Sequence, residues 1–315
     1  MYQSLDEITA ACSTEEKAFW QVVQEDDCRE EGIGREESEK RMAEIFAAMK
    51  ASDEDYDPSL KSASGLVGTD AERLHDRKER GGLLCGPFCA SVMERALRVA
   101  ESNACMKRIV AAPTAGSCGV VPAVLLSMQE KKHFTDEQMI QALYTAGGIG
   151  GVIAHRASLS GAAGGCQAEI GAASAMAAGA AVSLLGGTPD QMCHAAAMAL
   201  SALMGLVCDP VAGLVEVPCV KRNVIGAMNA VSCADMAMAG ITSRIPPDEV
   251  IDAMKAVGHA MSPDLRETGR GGLAGTPTGQ RIRDRIGHPA GERSEADFTT
   301  SDSLRSTGRL RRSRD

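Results

Sequence analysis

An all-α fold is the class this sequence predicts. Apolar residues recur at three- and four-residue spacing, and helix-capping patterns stand where those stretches begin. No run of β-branched residues in period two is long enough for a sheet. In the first fifty-odd residues we expect two charged helices, broken near Gly32, Ile33 and Gly34. In "SEKRMAEIFAAMKAS", Met42, Ile45, Phe46 and Met49 fall on one helical face. "DEDYDPSLKSASGLVGTD", residues 53–70, reads as loop, because Asp, Ser and Gly favour turns. Helical spacing returns at 86–105 through Val92, Ala96, Leu97 and Ala100.

"AAPTAGSCGVVPAVLLSM" then runs from a Gly/Ser-rich turn straight into an apolar helix. Thr135 with Gln138, and Thr188 with Gln191, form capping-box patterns, and Pro189 stands at a first helical position. "PPDEVIDAMKAVGHAM" begins with prolines and acids, as helix N-termini prefer. The stretch 170–187 is uncharged over a membrane-relevant length, but it is mostly Ala, Gly and Ser, with few Leu, Ile or Phe to drive it into lipid. We therefore expect a helix buried on all sides and no membrane span. The expected organisation is an N-terminal helical segment, 1–60, packed on a helical catalytic domain, 61–282. From Arg283 the chain turns polar and rich in Arg and Ser, so 283–315 is expected to be a disordered tail.

A formal charge of −9 argues against nucleic acid as the main partner, which would need a basic surface. Eleven cysteines, an odd number, follow an N-terminus with no basic start and no apolar core of a signal peptide. That predicts reduced thiols in a cytoplasmic setting, where cysteine clusters are read as metal or catalytic before structural.

Two sets of residues invite chemistry. In "PTAGSCG", residues 113–119, Gly116 and Gly119 free the backbone so that amides can turn inward at a helix start. Thr114 and Ser117 add hydroxyls, and a carboxylate or phosphate would suit the resulting cup. The alternative is an ordinary loop leading into a helix. The second set is Cys166, Cys208 and Cys219, each in Gly- or Pro-rich sequence, whereas Cys89, Cys193 and Cys233 lie inside apolar helical runs. Glycine-rich loops can hold thiolates and offer spare amides to cluster sulfides. A buried cysteine is otherwise a small hydrophobe, and the spacing matches no short metal motif.

Taken together, "SGLVGTD", "RIVAAPTAGSCG", "SGAAGGCQAEIG", "LVCDPVAGLVEVPC" and "GGLAGTPTG" resemble the alpha chain of the bacterial iron–sulfur L-serine dehydratases, up to about residue 282. The resemblance implies a [4Fe-4S] cluster on Cys166, Cys208 and Cys219. It also implies conversion of L-serine to pyruvate and ammonia, an oligomeric assembly, and a separate beta chain. An open iron would act as Lewis acid on the substrate hydroxyl. Single-chain relatives can plug that iron with a C-terminal cysteine, but no cysteine follows Cys233 in this sequence. The substrate carboxylate is expected at Thr114, Gly116, Ser117 and Gly119, with Ser64 a further candidate. The general base is unassigned: His155 and His259 are weak candidates, and the base is expected on the beta chain. Two rivals stand beside this reading. One is a pyridoxal-phosphate dehydratase, which needs a Schiff-base lysine, yet Lys107, Lys131, Lys132, Lys221 and Lys255 lie in no suitable motif. The other is a non-catalytic iron–sulfur or zinc-binding helical protein.

Overall fold

The structure, a computed structural model, describes residues 2–287. Thirteen α-helices run through them: α1 (Leu5–Glu15), α2 (Phe19–Glu31), α3 (Arg35–Glu54), α4 (Asp70–Glu79), α5 (Pro87–Ala104), α6 (Val120–Lys132), α7 (Asp136–Arg156), α8 (Gly161–Gly164), α9 (Ala172–Leu184), α10 (Pro189–Ala202), α11 (Cys219–Met238), α12 (Pro247–Ala260) and α13 (Pro277–Ile286). A π-helical turn, Gln167–Gly171, leads directly into α9. Among the described residues the one extended pairing is a single bridge between Cys208 and Arg266. The fold is all-α, as the spacing predicts.

α9 is the axis of the molecule. Ala172 through Val182 are all buried, and the helix packs against α6, α7, α10 and α11. Alanine side chains let four neighbours approach it closely, and dispersion contacts replace bulk. The same economy recurs on α11. A Cβ at Gly226 would sit 2.8 Å from Ile170 Cγ2 and 3.0 Å from Val120 Cγ2, so glycine is what lets α11 approach the π turn and α6. No helix among the described residues is long and apolar enough to cross a membrane.

The helix starts behave as capping chemistry dictates. Thr135 Oγ1 accepts from the Gln138 amide at 3.2 Å, and the Gln138 side chain accepts from the Thr135 amide at 2.9 Å. Thr188 and Gln191 repeat both bonds at the same lengths. The N-terminal segment contains three helices where two are expected. Glu16 adopts a left-handed conformation, φ 54°, and the Lys17 amide closes back on the Cys12 carbonyl, ending α1 without a glycine to announce it. Its apolar faces, including Phe19, Val22, Phe46 and Met49, join the same core as α9. Asp248, at the start of α12, accepts from the Leu5 and Asp6 amides at 2.9 and 3.1 Å and so caps α1 across the chain. The expected boundary at 282 falls inside α13, which continues to Ile286. The tail expected to be disordered, 283–315, therefore starts as helix through Ile286, and its residues 288–315 lie outside the described residues.

Two stability measurements follow from this packing. Thr188→Ala should cost about 1 kcal/mol in urea unfolding, the usual worth of an N-cap side chain. Ala177→Leu, at a fully buried position of α9, should cost about 1–3 kcal/mol through overpacking. Neutral behaviour of Ala177→Leu would mean that α9 is not so enclosed.

Candidate functional site

Several irregular segments meet at the first turn of α11. Cys166 sits between α8 and the π turn, just after Gly165 at φ 75°. Cys208 lies in an extended segment: its amide donates to the Leu265 carbonyl at 2.8 Å, and its carbonyl accepts from the Glu267 amide at 2.7 Å. Cys219, expected in a loop, is instead the first residue of α11, directly after Pro218. All three are buried, at 2%, 3% and 7% exposure. What distinguishes them from Cys118 and Cys233 is their company. Cys118 and Cys233 are pushed up to about 12 and about 11, with burial the main cause. Contact with the Cys166 thiol, with burial next, drives the Cys208 thiol far above its ordinary range. Burial, with the charge of Cys166 second, does the same to Cys219.

Four polar side chains draw these segments together. Gln167 is 1% exposed: its amide donates to the Leu206 carbonyl at 3.0 Å, and its Oε1 accepts from the Gly205 amide at 2.8 Å. That ties the Cys166 segment to the chain approaching Cys208. Arg222 donates to the Val207 carbonyl at 2.7 Å and to Asp209 Oδ1 at 2.8 Å, and it lies beside the Cys166 thiol. Asp209 Oδ2 accepts from the Leu273 amide at 2.7 Å, which draws in the "GGLAGTPTG" segment. Asn223 donates to the Gly116 carbonyl at 2.8 Å and to the Cys219 carbonyl at 3.0 Å, and accepts from the Gly119 amide at 2.8 Å. The "PTAGSCG" loop is thereby locked to the start of α11.

Within that loop the roles divide. The Ser117 hydroxyl is fully enclosed and bonds to Thr114, while the Gly119 amide is taken by Asn223. These two groups are directed at the loop and its support. Thr114 Oγ1 instead donates to Glu169 Oε1 at 2.8 Å, and Gly116 is half-buried. Glu169 is three residues after Cys166, and its other oxygen stands 3.7 Å from the Cys208 thiol. A Cβ at Gly161 would lie 2.7 Å from Glu169 Oε2, 2.9 Å from Cys208 Sγ and 3.2 Å from Glu267 Oε2. Glycine at 161 leaves the space that a thiol and two carboxyls share. Ser64 reaches the rim from the loop between α3 and α4: with Ser62, which donates at 2.9 Å, its hydroxyl bonds to Glu216, three residues before Cys219.

The remaining candidates lie elsewhere. His155 and His259 are exposed in the last turns of α7 and α12. Lys131, Lys132, Lys221 and Lys255 are exposed, and Lys107 donates to the Asp55 carbonyl. Glu169, Gln167, Arg222, Asn223 and Glu267 were not singled out from sequence. The first two stand inside a motif that was, so its acid and amide were an available signal; nothing local marks the others.

Three buried soft thiols on segments that meet at α11, with a Cβ-free space beside one of them, fit a multi-iron cluster, in which each thiolate would take a different iron. Among the described residues, no three His, Cys, Asp or Glu side chains converge as a single ion would require.

Glu169 gives this geometry a pH signature. Burial, then the charge of Glu267, pushes its carboxyl up to about 7. A raised carboxyl contributes stability that is fully present below the ordinary carboxylate range, near 4.3, and is lost as pH rises through the folded value. In the metal-free chain, Glu169→Gln should therefore gain on the parent by about 1–3 kcal/mol between pH 4 and pH 8, read from urea midpoints. A pH-independent difference would mean that the pocket does not hold this proton.

Residues 13–274 match the family model described as the serine dehydratase alpha chain. The chain is 52% identical over 252 residues to a Bacillus subtilis protein named "Probable L-serine dehydratase, alpha chain", covering 80% of this chain and 84% of that one. It is 42% identical over 284 residues to the "L-serine dehydratase, alpha chain" of Peptoniphilus asaccharolyticus, covering 90% and 97%. It is also 47% identical over 181 residues to the Escherichia coli "L-serine dehydratase TdcG", covering 57% of this chain and 40% of that protein. The matched region runs through every segment that meets at α11, and the chain belongs to the serine dehydratase alpha-chain family.

Proposed function

We propose that the chain is the alpha chain of an L-serine ammonia-lyase, which converts L-serine to pyruvate and ammonia with a [4Fe-4S] cluster held on Cys166, Cys208 and Cys219. The observation that supports this reading is the convergence of the three cysteine-bearing segments, up to 53 residues apart, on the first turn of α11, with all three thiols buried. When bound, such a cluster supplies a Lewis-acidic iron for the leaving hydroxyl of serine. The chain's own residues do the rest of the positioning. The "PTAGSCG" loop takes the carboxylate side, with Thr114 and Gly116 at its mouth and Ser117 and Gly119 holding its shape. Ser64, fixed through Glu216, closes the rim. Burial of the thiols keeps water from competing for the positions they hold.

The proton at the serine α-carbon needs a base. His155 and His259 point to solvent at helix ends, which supports a base supplied by a separate beta chain. The relatives named as alpha chains, and the Escherichia coli protein of which this chain covers 40%, fit such a division. The exposed lysines give the pyridoxal-phosphate rival no enclosed Schiff-base position. A cytoplasmic setting belongs to the same reading, since it keeps the thiols reduced.

Anaerobic purification, iron and sulfide analysis, and a visible spectrum test the cofactor; a borohydride-sensitive yellow protein would favour pyridoxal instead. Replacing Cys166, Cys208 or Cys219 by Ser should remove most of the iron, while Cys193→Ser and Cys233→Ser should keep it apart from modest packing losses. Unchanged iron in the first three would remove the ligand assignment. The isolated chain should form little pyruvate, and a beta chain should restore turnover. Full activity from the chain alone would place the base within these residues.

A further inference from the structure

Arg222 stands one helical turn after Cys219 and touches both of the other cysteine segments. Residues three apart on a helix share a face, so its side chain projects on the same side of α11 as the Cys219 thiol. Its two terminal nitrogens bind on either side of Cys208: one donates to the Val207 carbonyl at 2.7 Å, the other to Asp209 Oδ1 at 2.8 Å. The same guanidinium lies beside the Cys166 thiol. The side chain is 14% exposed and its Asp209 partner 4% exposed. Asp209 is held in turn by the Leu273 amide and cannot swing away without breaking that bond.

We infer that Arg222 is the positioning residue of the three-thiol site, setting the spacing of the cysteine segments by its planar fork and offsetting their negative charge when they hold a cluster. The inference rests on the cluster reading above. Two separate properties are required of the side chain. The fork supplies two directional bonds in one plane, which an ammonium on a flexible stem does not. The positive charge sits where Cys166, Cys219 and Glu169 all feel it. Among three thiols, Glu169, Glu267 and its own partner Asp209, a largely buried cation balances charge that would otherwise have to be neutralised by protons.

The two properties separate in a variant series. The full chain is reconstituted without oxygen as the parent, R222K, R222Q, D209N and C219S. Cluster loss to an iron chelator is timed from the visible spectrum, the midpoint potential is measured by dye-mediated titration, and thermal melting reports the fold. R222K keeps the charge and loses the fork, so its cluster should be lost about 10- to 100-fold faster at a near-parental potential. R222Q loses both, so it should show the same instability and a lowered potential, because removing a nearby positive charge disfavours the reduced state. D209N should lie between the parent and R222K. Should R222Q fail to fold, R222K and D209N decide. Parental chelation rates in R222K and D209N would overturn the positioning role, and a parental potential in a folded R222Q would overturn the charge role. Full iron in C219S would instead show that the cluster reading itself is wrong, whatever Arg222 does.

Discussion

The first turn of α11 is the joint on which the site depends. Cys219, Arg222 and Asn223 stand at positions one, four and five of that helix, so they share a face. Asn223 fastens the "PTAGSCG" loop, Arg222 fastens the segment around Cys208, and both lie against the cysteine that opens the helix. A helix packed on α5, α6, α9 and α10 is a rigid base for such contacts. Gly226 lets it lie close to the π turn that follows Cys166. The loops have little regular hydrogen bonding of their own, so their buried backbone groups need side-chain partners. Gln167, Arg222 and Asn223 supply them.

Charge balance is the second constraint. Cys166, Cys219 and Glu169 lie in the field of one largely buried guanidinium, Arg222, which is itself paired with Asp209, and Glu267 adds a further acid beside Glu169. Burial disfavours the ionised form of each acid, and the acids disfavour one another. The pocket can relieve that conflict by holding protons, or by holding a positively charged group on the thiolates. The raised carboxyl of Glu169 and the raised thiols of Cys208 and Cys219 are the proton-holding answer. The same crowding of soft donors is what an iron–sulfur cluster would use.

The site also has an inner and an outer side. The inner side is walled by α9, α11 and the π turn, all part of the alanine-rich core. The outer side is bounded by loops: Ser64 on its Glu216 anchor, Thr114 on Glu169, and the 265–273 segment on Cys208 and Asp209. Loops on a rigid scaffold are where binding residues are expected, because they approach a ligand without disturbing the core. Neither His155 nor His259 belongs to this rim, whereas Glu169 and Glu267 lie within it.

The amino-acid sequence by itself determined the all-α class and those helices whose spacing and caps are written within a few residues. The Thr135 and Thr188 boxes and the buried run around Ala177 were legible for that reason. It also marked the motifs that matter, since Gly, Pro and Cys stand out wherever backbone freedom and soft donors coincide. Tertiary structure alone decided which of those residues meet and what each one does. That Cys219 opens a helix, that Ser117 and Gly119 hold their loop inward, and that Glu16 ends α1 left no local trace. The roles of Arg222, Asn223 and Glu267 were equally hidden. Asn223 acts on a loop more than a hundred residues away, and Arg222 works through a carboxylate anchored to Leu273. Such contacts form only when the alanine-packed helices bring distant loops together, so no window of local sequence contains them.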